Sequence, residues 1–255
     1  MAKSQGRVPR LYCEQTLSVR SELILPREAS HYLVTVLRSG DGAPVRLFNA
    51  IDGEWQCVIS HANRKAARVT CNERLRAATP PPDIDYLFAP LKSARLDYLA
   101  QKATEMGARR IRPVITRHTV ADKVNLDRLR ANAVEAAEQC NMVYVPDVAE
   151  PEKLRDVLAS WPDDRTLIFC DERAGQANPI DTLKQVKPGL LAVLLGPEGG
   201  FSEEERNMIV SLPNVVALSL GPRIMRADTA AVAVLALVQS VLGDWRADNA
   251  PEQDD

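Results

Sequence analysis

Long apolar runs are missing from this chain of 255 residues. The most apolar stretch, Ala230 to Val238, is far too short to cross a bilayer and ends at Gln239. The N-terminus, MAKSQGRVPR, is basic but lacks the apolar core of a signal peptide, so a cytoplasmic protein with no membrane partner is expected. Paired cysteines are missing too. The five present, at 13, 57, 71, 140 and 170, form no CxxC, which points to reduced thiols rather than a disulfide framework or a zinc site. Three histidines far apart in sequence supply no metal motif, and no metal is expected. Neither G-x-G-x-x-G nor G-x-x-x-x-G-K-[ST] occurs, which takes support from the dinucleotide and P-loop readings. There is no internal repeat and no low-complexity tract.

What is there fits a soluble globular protein: 45% apolar and 26% charged residues, enough for a small and a medium domain. The net charge of −2 hides an asymmetry. Residues 1–76 carry 12 Lys+Arg against 7 Asp+Glu, and the remainder carries 20 against 27. A basic module joined to an acidic one can divide phosphate binding from chemistry, although ordinary surface variation gives the same imbalance.

The texture changes once along the chain. From Leu23 to Val69 short runs such as Pro44-Val-Arg-Leu-Phe and Glu54-Trp-Gln-Cys-Val-Ile alternate with turn residues, predicting a small β-barrel or folded sheet. A helix is predicted over 26–37, where Ala29, Leu33, Val36 and Leu37 share a face. Thr79-Pro-Pro-Pro-Asp83 continues neither strand nor helix and marks the boundary. The expected division is residues 1–76, a linker at 77–83, a second domain at 84–246 and a disordered tail at 247–255.

Beyond the linker, strands and helices alternate. Strands are predicted at 86–89, 111–115, 166–170, 190–195 and 215–220. Helices are predicted at 95–106, 126–140 behind an Asn125 cap, 151–159 with proline first, after the capping box Ser202-Glu-Glu-Glu205, and 229–242. Unalternating apolar strands between helices imply an α/β domain with a largely parallel sheet.

Two loops stand between a strand and a helix: Leu194-Leu-Gly-Pro-Glu-Gly-Gly-Phe-Ser202 and Leu220-Gly-Pro-Arg-Ile-Met-Arg-Ala-Asp-Thr229. Ligands of open α/β sheets sit beyond the carboxyl ends of strands, where both loops must lie. Glycine there lets backbone approach a flat ligand. Such turns also use Gly and Pro merely to turn, but charged residues flank the glycines in both loops.

Gly196-Pro-Glu-Gly-Gly200 followed by Leu220-Gly-Pro-Arg-Ile-Met-Arg-Ala-Asp-Thr-Ala230 resembles the paired signature of RsmE-type ribosomal RNA uridine-N3 methyltransferases, of the SPOUT class. His31-Tyr-Leu-Val-Thr-Val-Leu-Arg38, Gln101-Lys-Ala-Thr-Glu-Met-Gly107 and Glu135-Ala-Ala-Glu-Gln139 extend the likeness over nearly the whole chain. The resemblance implies a PUA-like RNA-binding β-barrel, an α/β domain with a C-terminal trefoil knot, and a homodimer. It implies S-adenosyl-L-methionine as cofactor, held by Glu172, Leu194, Gly196, Pro197, Glu198, Gly199, Gly200, Leu220, Gly221, Ile224 and Met225. Three positions depart from the family's usual residues. Asp228 stands for Glu, Met225 for Leu, and Cys140-Asn-Met142 for a continuation with Gly-Arg.

Methyl transfer to uridine N3 requires alignment of donor and acceptor and removal of the N3 proton. Arg226 is the candidate to stabilise charge left on the base. Asp228 is a candidate proton acceptor, beside Glu198 and water, and also a candidate N-cap of the last helix. Arg7, Arg10, Arg38, Arg64, Lys65 and Arg68 are candidate RNA contacts from the barrel, with Lys92, Arg95 and Lys102 from the second domain. The pairing edge carries N3, so the small-subunit ribosomal RNA target must present an unpaired or extruded base. Two rival classes predict other behaviour: an α/β enzyme for a phosphorylated nucleotide would ignore S-adenosylhomocysteine, and a non-catalytic RNA-binding protein would transfer no methyl group.

Overall fold

The structure is a computed structural model, and it describes residues 8–120, 123–175 and 177–245. Arg7 and the tail 247–255 lie outside the described residues. Two compact units divide the chain. The first holds residues up to Pro80 together with Ala137–Val145, and the second holds Pro81–Ala136 and the chain from Pro146 onward.

The first unit is built from β1 (Arg10–Tyr12), β2 (Glu22–Ile24), α1 (Arg27–His31), β3 (Pro44–Asn49), β4 (Gly53–His61) and β5 (Arg68–Arg76). They form one sheet in the order β1-β3-β4-β5-β2, with β1 parallel to β3 and the other pairs antiparallel. Alternation sends Val45, Leu47, Cys57, Ile59, Val69 and Cys71 into one core, which Leu33 closes. The helix expected over 26–37 is found as α1 continued by a π-helical turn, Tyr32–Val36, but Val36 and Leu37 of its expected apolar face are exposed.

Glu54 is the buried hub of this unit, its side chain only 1% exposed. Arg10 Nε donates to its carboxylate at 3.0 Å, Arg46 lies 3.5 Å away, and Arg76 donates to the same carboxylate. Arg10 also donates to the carbonyls of Ala137, at 2.8 Å, and of Met142, with its guanidinium 3.8 Å over the Phe48 ring. Arg76 donates to Asn141 O at 3.0 Å, and Tyr12 N to Glu138 Oε1 at 3.0 Å. These bonds tie residues 137–142 to the sheet. They also correct the expectation for Arg10: 8% exposed and engaged on every side, it is a structural cation, not an RNA contact.

Burial alone would raise the Glu54 carboxyl, but hydrogen bonds from Arg76 and Arg10 outweigh it and hold the group below the usual carboxylate range. A depressed folded-state value means stability that is complete above the unfolded value and lost as pH falls through the folded one. Glu54→Gln is therefore expected to cost about 3–5 kcal/mol near neutrality. The loss shrinks in acid below the usual carboxylate range, where the wild type loses the same charge. Urea unfolding at neutral and at acid pH measures this; an equal cost at both would place the effect elsewhere.

The second unit runs β6 (Ile84–Phe88), α2 (Ser93–Glu105), β7 (Arg110–Ile115), α3 (Leu126–Gln139), β8 (Asp147–Val148), β9 (Glu152–Lys153), α4 (Leu154–Ala159), β10 (Arg165–Cys170), α5 (Pro179–Leu183), β11 (Leu190–Leu195), α6 (Glu203–Val210), β12 (Val215–Leu218) and α7 (Ala227–Val241). All strand pairs are parallel, in the order β12-β10-β11-β6-β7-β8, and β9 also pairs with β7. Side chains alternate between two cores. Leu191, Val193 and Leu195 join residues of α2 and α7, while Ala192 and Leu194 join those of α4 and α6. Burying Val234, Leu235 and Val238 of α7 contributes roughly 1.5–3 kcal/mol each.

Local signals explain the helix starts. Asn125 Oδ1 accepts from Arg128 N at 3.0 Å, and the Ser202–Glu205 capping box is formed in both directions. The helix expected at 151–159 is shorter at its start and ends at Ala159 as expected. The chain spends Glu152–Lys153 on pairing with β7, and the helix starts at Leu154.

Candidate active site

Both glycine loops leave the carboxyl edge of the parallel sheet, one after β11 and one after β12, with β10 between those strands. Together with the turn after β10 they enclose a cleft of about 590 Å³. Its floor is apolar, from Leu195, Leu218, Met225 and Ala230, and its rim carries Asp171, Glu172, Glu198, Arg173, Arg206 and Arg223. Ile224, also in the lining, is 96% exposed.

Of the residues expected here, Glu172, Gly196, Pro197, Glu198, Gly200, Leu220, Gly221, Ile224 and Met225 line the cleft. Leu194 and Gly199 do not. Strand alternation turns Leu194 into the opposite core and gives the lining Leu195 instead. Gly199 faces His118, whose Cβ lies 3.3 Å from where a glycine Cβ would stand. Gly221 adopts φ +100°, which side-chain-bearing residues rarely reach.

Several participants carry no signal in the sequence pattern. Asp171, 5% exposed, accepts from Arg206 at 2.8 and 3.0 Å, fixing the start of the turn after β10 to α6. The segment after β7 braces the first glycine loop: His118 Nδ1 lies 3.2 Å from Gly200 O, and Arg117 N donates to Glu205 Oε1 at 2.7 Å. Cys170, also in the lining, has its thiol pushed up to about 12 by burial, so it is protonated and a poor nucleophile.

Asp228 and Arg226 occupy different positions from those their sequence context suggests. The last helix opens two residues earlier than expected, at Ala227, with Arg226 in the N-cap position and no side-chain cap. Asp228 is therefore not the N-cap. It lies in the first turn and pairs side-on with Arg95: Nε to Oδ2 and Nη2 to Oδ1, both 3.2 Å. That hydrogen bond holds the Asp228 carboxyl below its usual range and makes it a weaker proton acceptor. Arg95 also donates to Glu198. Arg226 is exposed and, among the described residues, its side chain makes no ion pair or hydrogen bond.

The remaining candidate cations divide. Arg38, Arg64, Lys65, Arg68 and Lys92 are exposed. Lys102 is half-buried and donates to both Glu105 oxygens at 2.7 Å.

An apolar floor between backbone turns suits a flat ring system, and the rim offers three carboxylates and three guanidinium groups to its polar substituents. The volume falls within the usual range for small-molecule sites. Fold and cleft together define an α/β protein with a small-molecule site at the carboxyl edge of its parallel sheet.

The chain belongs to the RNA methyltransferase domain family, whose model matches residues 79–239. A second model, the RNA methyltransferase PUA domain, matches residues 25–70, so the N-terminal unit is a PUA-like domain. Ribosomal RNA small subunit methyltransferase E of Rickettsia conorii is 29% identical over 90% of this chain and 94% of its own length. The protein of that name from Bacillus subtilis is 25% identical over 83% of this chain and 87% of its own. A putative methyltransferase of Legionella pneumophila, solved with the bound cofactor SAM, has a TM-score of 0.83 at 27% identity, covering 94% of this chain and 100% of that one. The small-subunit methyltransferase E of Neisseria gonorrhoeae, solved bound to S-adenosyl methionine, has a TM-score of 0.84 at 26% identity over the same shares.

Proposed function

We propose that the protein transfers a methyl group from S-adenosyl-L-methionine to N3 of a specific uridine in small-subunit ribosomal RNA, as a cytoplasmic homodimer. In this proposal residues 1–76 bind RNA, residues 84–246 carry the chemistry, and the loops after β11 and β12 form part of a trefoil knot. What carries it is the cleft at the carboxyl ends of β12, β10 and β11, whose lining takes in nine of the residues that the family likeness assigns to the cofactor.

When bound, S-adenosylmethionine supplies an electrophilic methyl group on a sulfonium that departs as a neutral thioether. The glycine turns would offer backbone groups to its adenine, and Glu172 would favour its positive charge. Met225 and Ala227 line the cleft while Arg226, between them in sequence, does not. Arg226 is thereby left to meet the acceptor base, where it stabilises the charge remaining once the N3 proton departs. Asp228 and Glu198 are both engaged by Arg95, so the proton leaves to water. Arg38, Arg64, Lys65, Arg68 and Lys92 hold the RNA backbone, and binding weakens as salt rises.

Two measurements test the reading. S-adenosylhomocysteine raises the unfolding temperature and ATP or NAD does not. Labelled methyl groups then pass to small subunits taken from cells without this modification, and a reverse-transcription stop appears at one uridine. Stabilisation by ATP instead, or label entering no RNA, sinks the proposal.

A further inference from the structure

We infer that Arg95 is a positioning residue: from the first turn of α2 it clasps the two glycine loops by binding Glu198 of one and Asp228 of the other. This rests on the cleft between those loops being the S-adenosylmethionine site. The residues involved are far apart in sequence, Arg95 standing 103 positions from Glu198 and 133 from Asp228. One cation gathers them.

The planar guanidinium makes this possible. Its Nε–Nη2 edge meets both Asp228 oxygens at 3.2 Å, which leaves Nη1 for Glu198. An ammonium cannot present donors along two fixed directions, so lysine reproduces only part of the contact. The side chains of Arg95, Glu198 and Asp228 are 33%, 48% and 21% exposed, so solvent screens the triad only in part.

Each carboxylate rides on the backbone that forms the cleft. Pro197 and Gly200 flank Glu198 and line it; Ala227 and Ala230 do the same around Asp228. Arg95 itself is not in the lining. It touches neither ligand nor reacting atoms and works through the two loops. Without it, the two loops lose the partner they share. The body of α2 is anchored independently by Leu96, Leu99, Ala100 and Ala103, which are nearly fully buried. Removing the guanidinium therefore spares the fold.

The experiment compares wild type, Arg95→Ala, Arg95→Lys, Asp228→Asn and the double variant Arg95→Ala/Asp228→Asn. S-adenosylhomocysteine affinity is read by calorimetry, the fold by urea unfolding, and methyl transfer by kcat and KM for the donor. Arg95→Ala is expected to weaken binding about tenfold and raise KM by a similar factor, with kcat at saturating donor falling less than about threefold. Arg95→Lys lies between. In the double variant, Asp228→Asn adds less than about twofold to Arg95→Ala, because the contact is already gone. If Arg95→Ala does not fold, the intermediate affinity of Arg95→Lys carries the same expectation. Unchanged affinity in the folded Arg95 variants, strictly additive losses, or a loss of RNA affinity alone overturns the clasp while the cofactor site stands. A wild type that does not bind S-adenosylhomocysteine overturns the site, and the clasp with it.

Discussion

Replacing Arg226 by alanine is expected to lower methyl transfer by roughly 10²–10³, the cost of losing one donor to a developing anion. S-adenosylhomocysteine affinity should change by less than about twofold, since a side chain outside the lining contributes little to binding. The split follows from position. Arg226 is exposed at the N-cap of α7, between two lining residues but not in the lining itself. A group so placed can act on the acceptor without holding the donor. Arg226→Lys keeps the charge but loses the planar fork, so part of the rate should return. Rates under saturating cofactor, measured beside calorimetry, separate the two effects. Undiminished transfer by Arg226→Ala would remove Arg226 from the mechanism.

The second large effect concerns Gly196. A Cβ at this position would stand 2.6 Å from Phe201 Cε2 and 3.0 Å from two further ring atoms. The ring has little room to retreat: it packs edge-on against Phe169, with centroids 5.3 Å apart. Both phenylalanines line the cleft, so a displaced ring moves its wall. Overpacking of this kind costs about 1–3 kcal/mol, and expressed at the binding site that is roughly a fivefold to 150-fold loss of affinity. Gly196→Val should thus bind S-adenosylhomocysteine far more weakly than Gly221→Val. At Gly221 the left-handed backbone is strained, but no atom lies within 4 Å of the added Cβ. Calorimetry on the two variants decides: equal losses would mean that backbone strain, not the Phe201 contact, dominates.

Much of the fold was legible because its signals are local. The unalternating run Leu190–Leu195 announced a strand buried on both faces, and Ser202 with Glu205 announced a helix start. Both glycine loops could be assigned to the carboxyl edge from strand–helix alternation alone. What escaped was set by distant partners or by brevity. β1 has three residues and exists because β3 pairs with it. α5 has five, too few to display a helical period. Arg10 looked like a surface cation because its acceptors, the carbonyls of Ala137 and Met142, lie 127 and 132 residues away. Leu194 and Leu195 are adjacent and equally apolar, so only the register of β11 reveals which faces the cleft. Asp228 next to Thr229 resembles a cap in sequence, and its pairing with Arg95 depends on how α2 and α7 pack.

The membership of Ala137–Val145 in the first unit has a consequence for synthesis on the ribosome. The strands of that unit are all translated by Arg76, yet the carbonyls that accept from Arg10 and Arg76 belong to residues 137, 141 and 142. Its final closure must wait until these have emerged from the exit tunnel. By then β6, α2, β7 and all of α3 have been made, so the first unit closes only after part of the second has been synthesised.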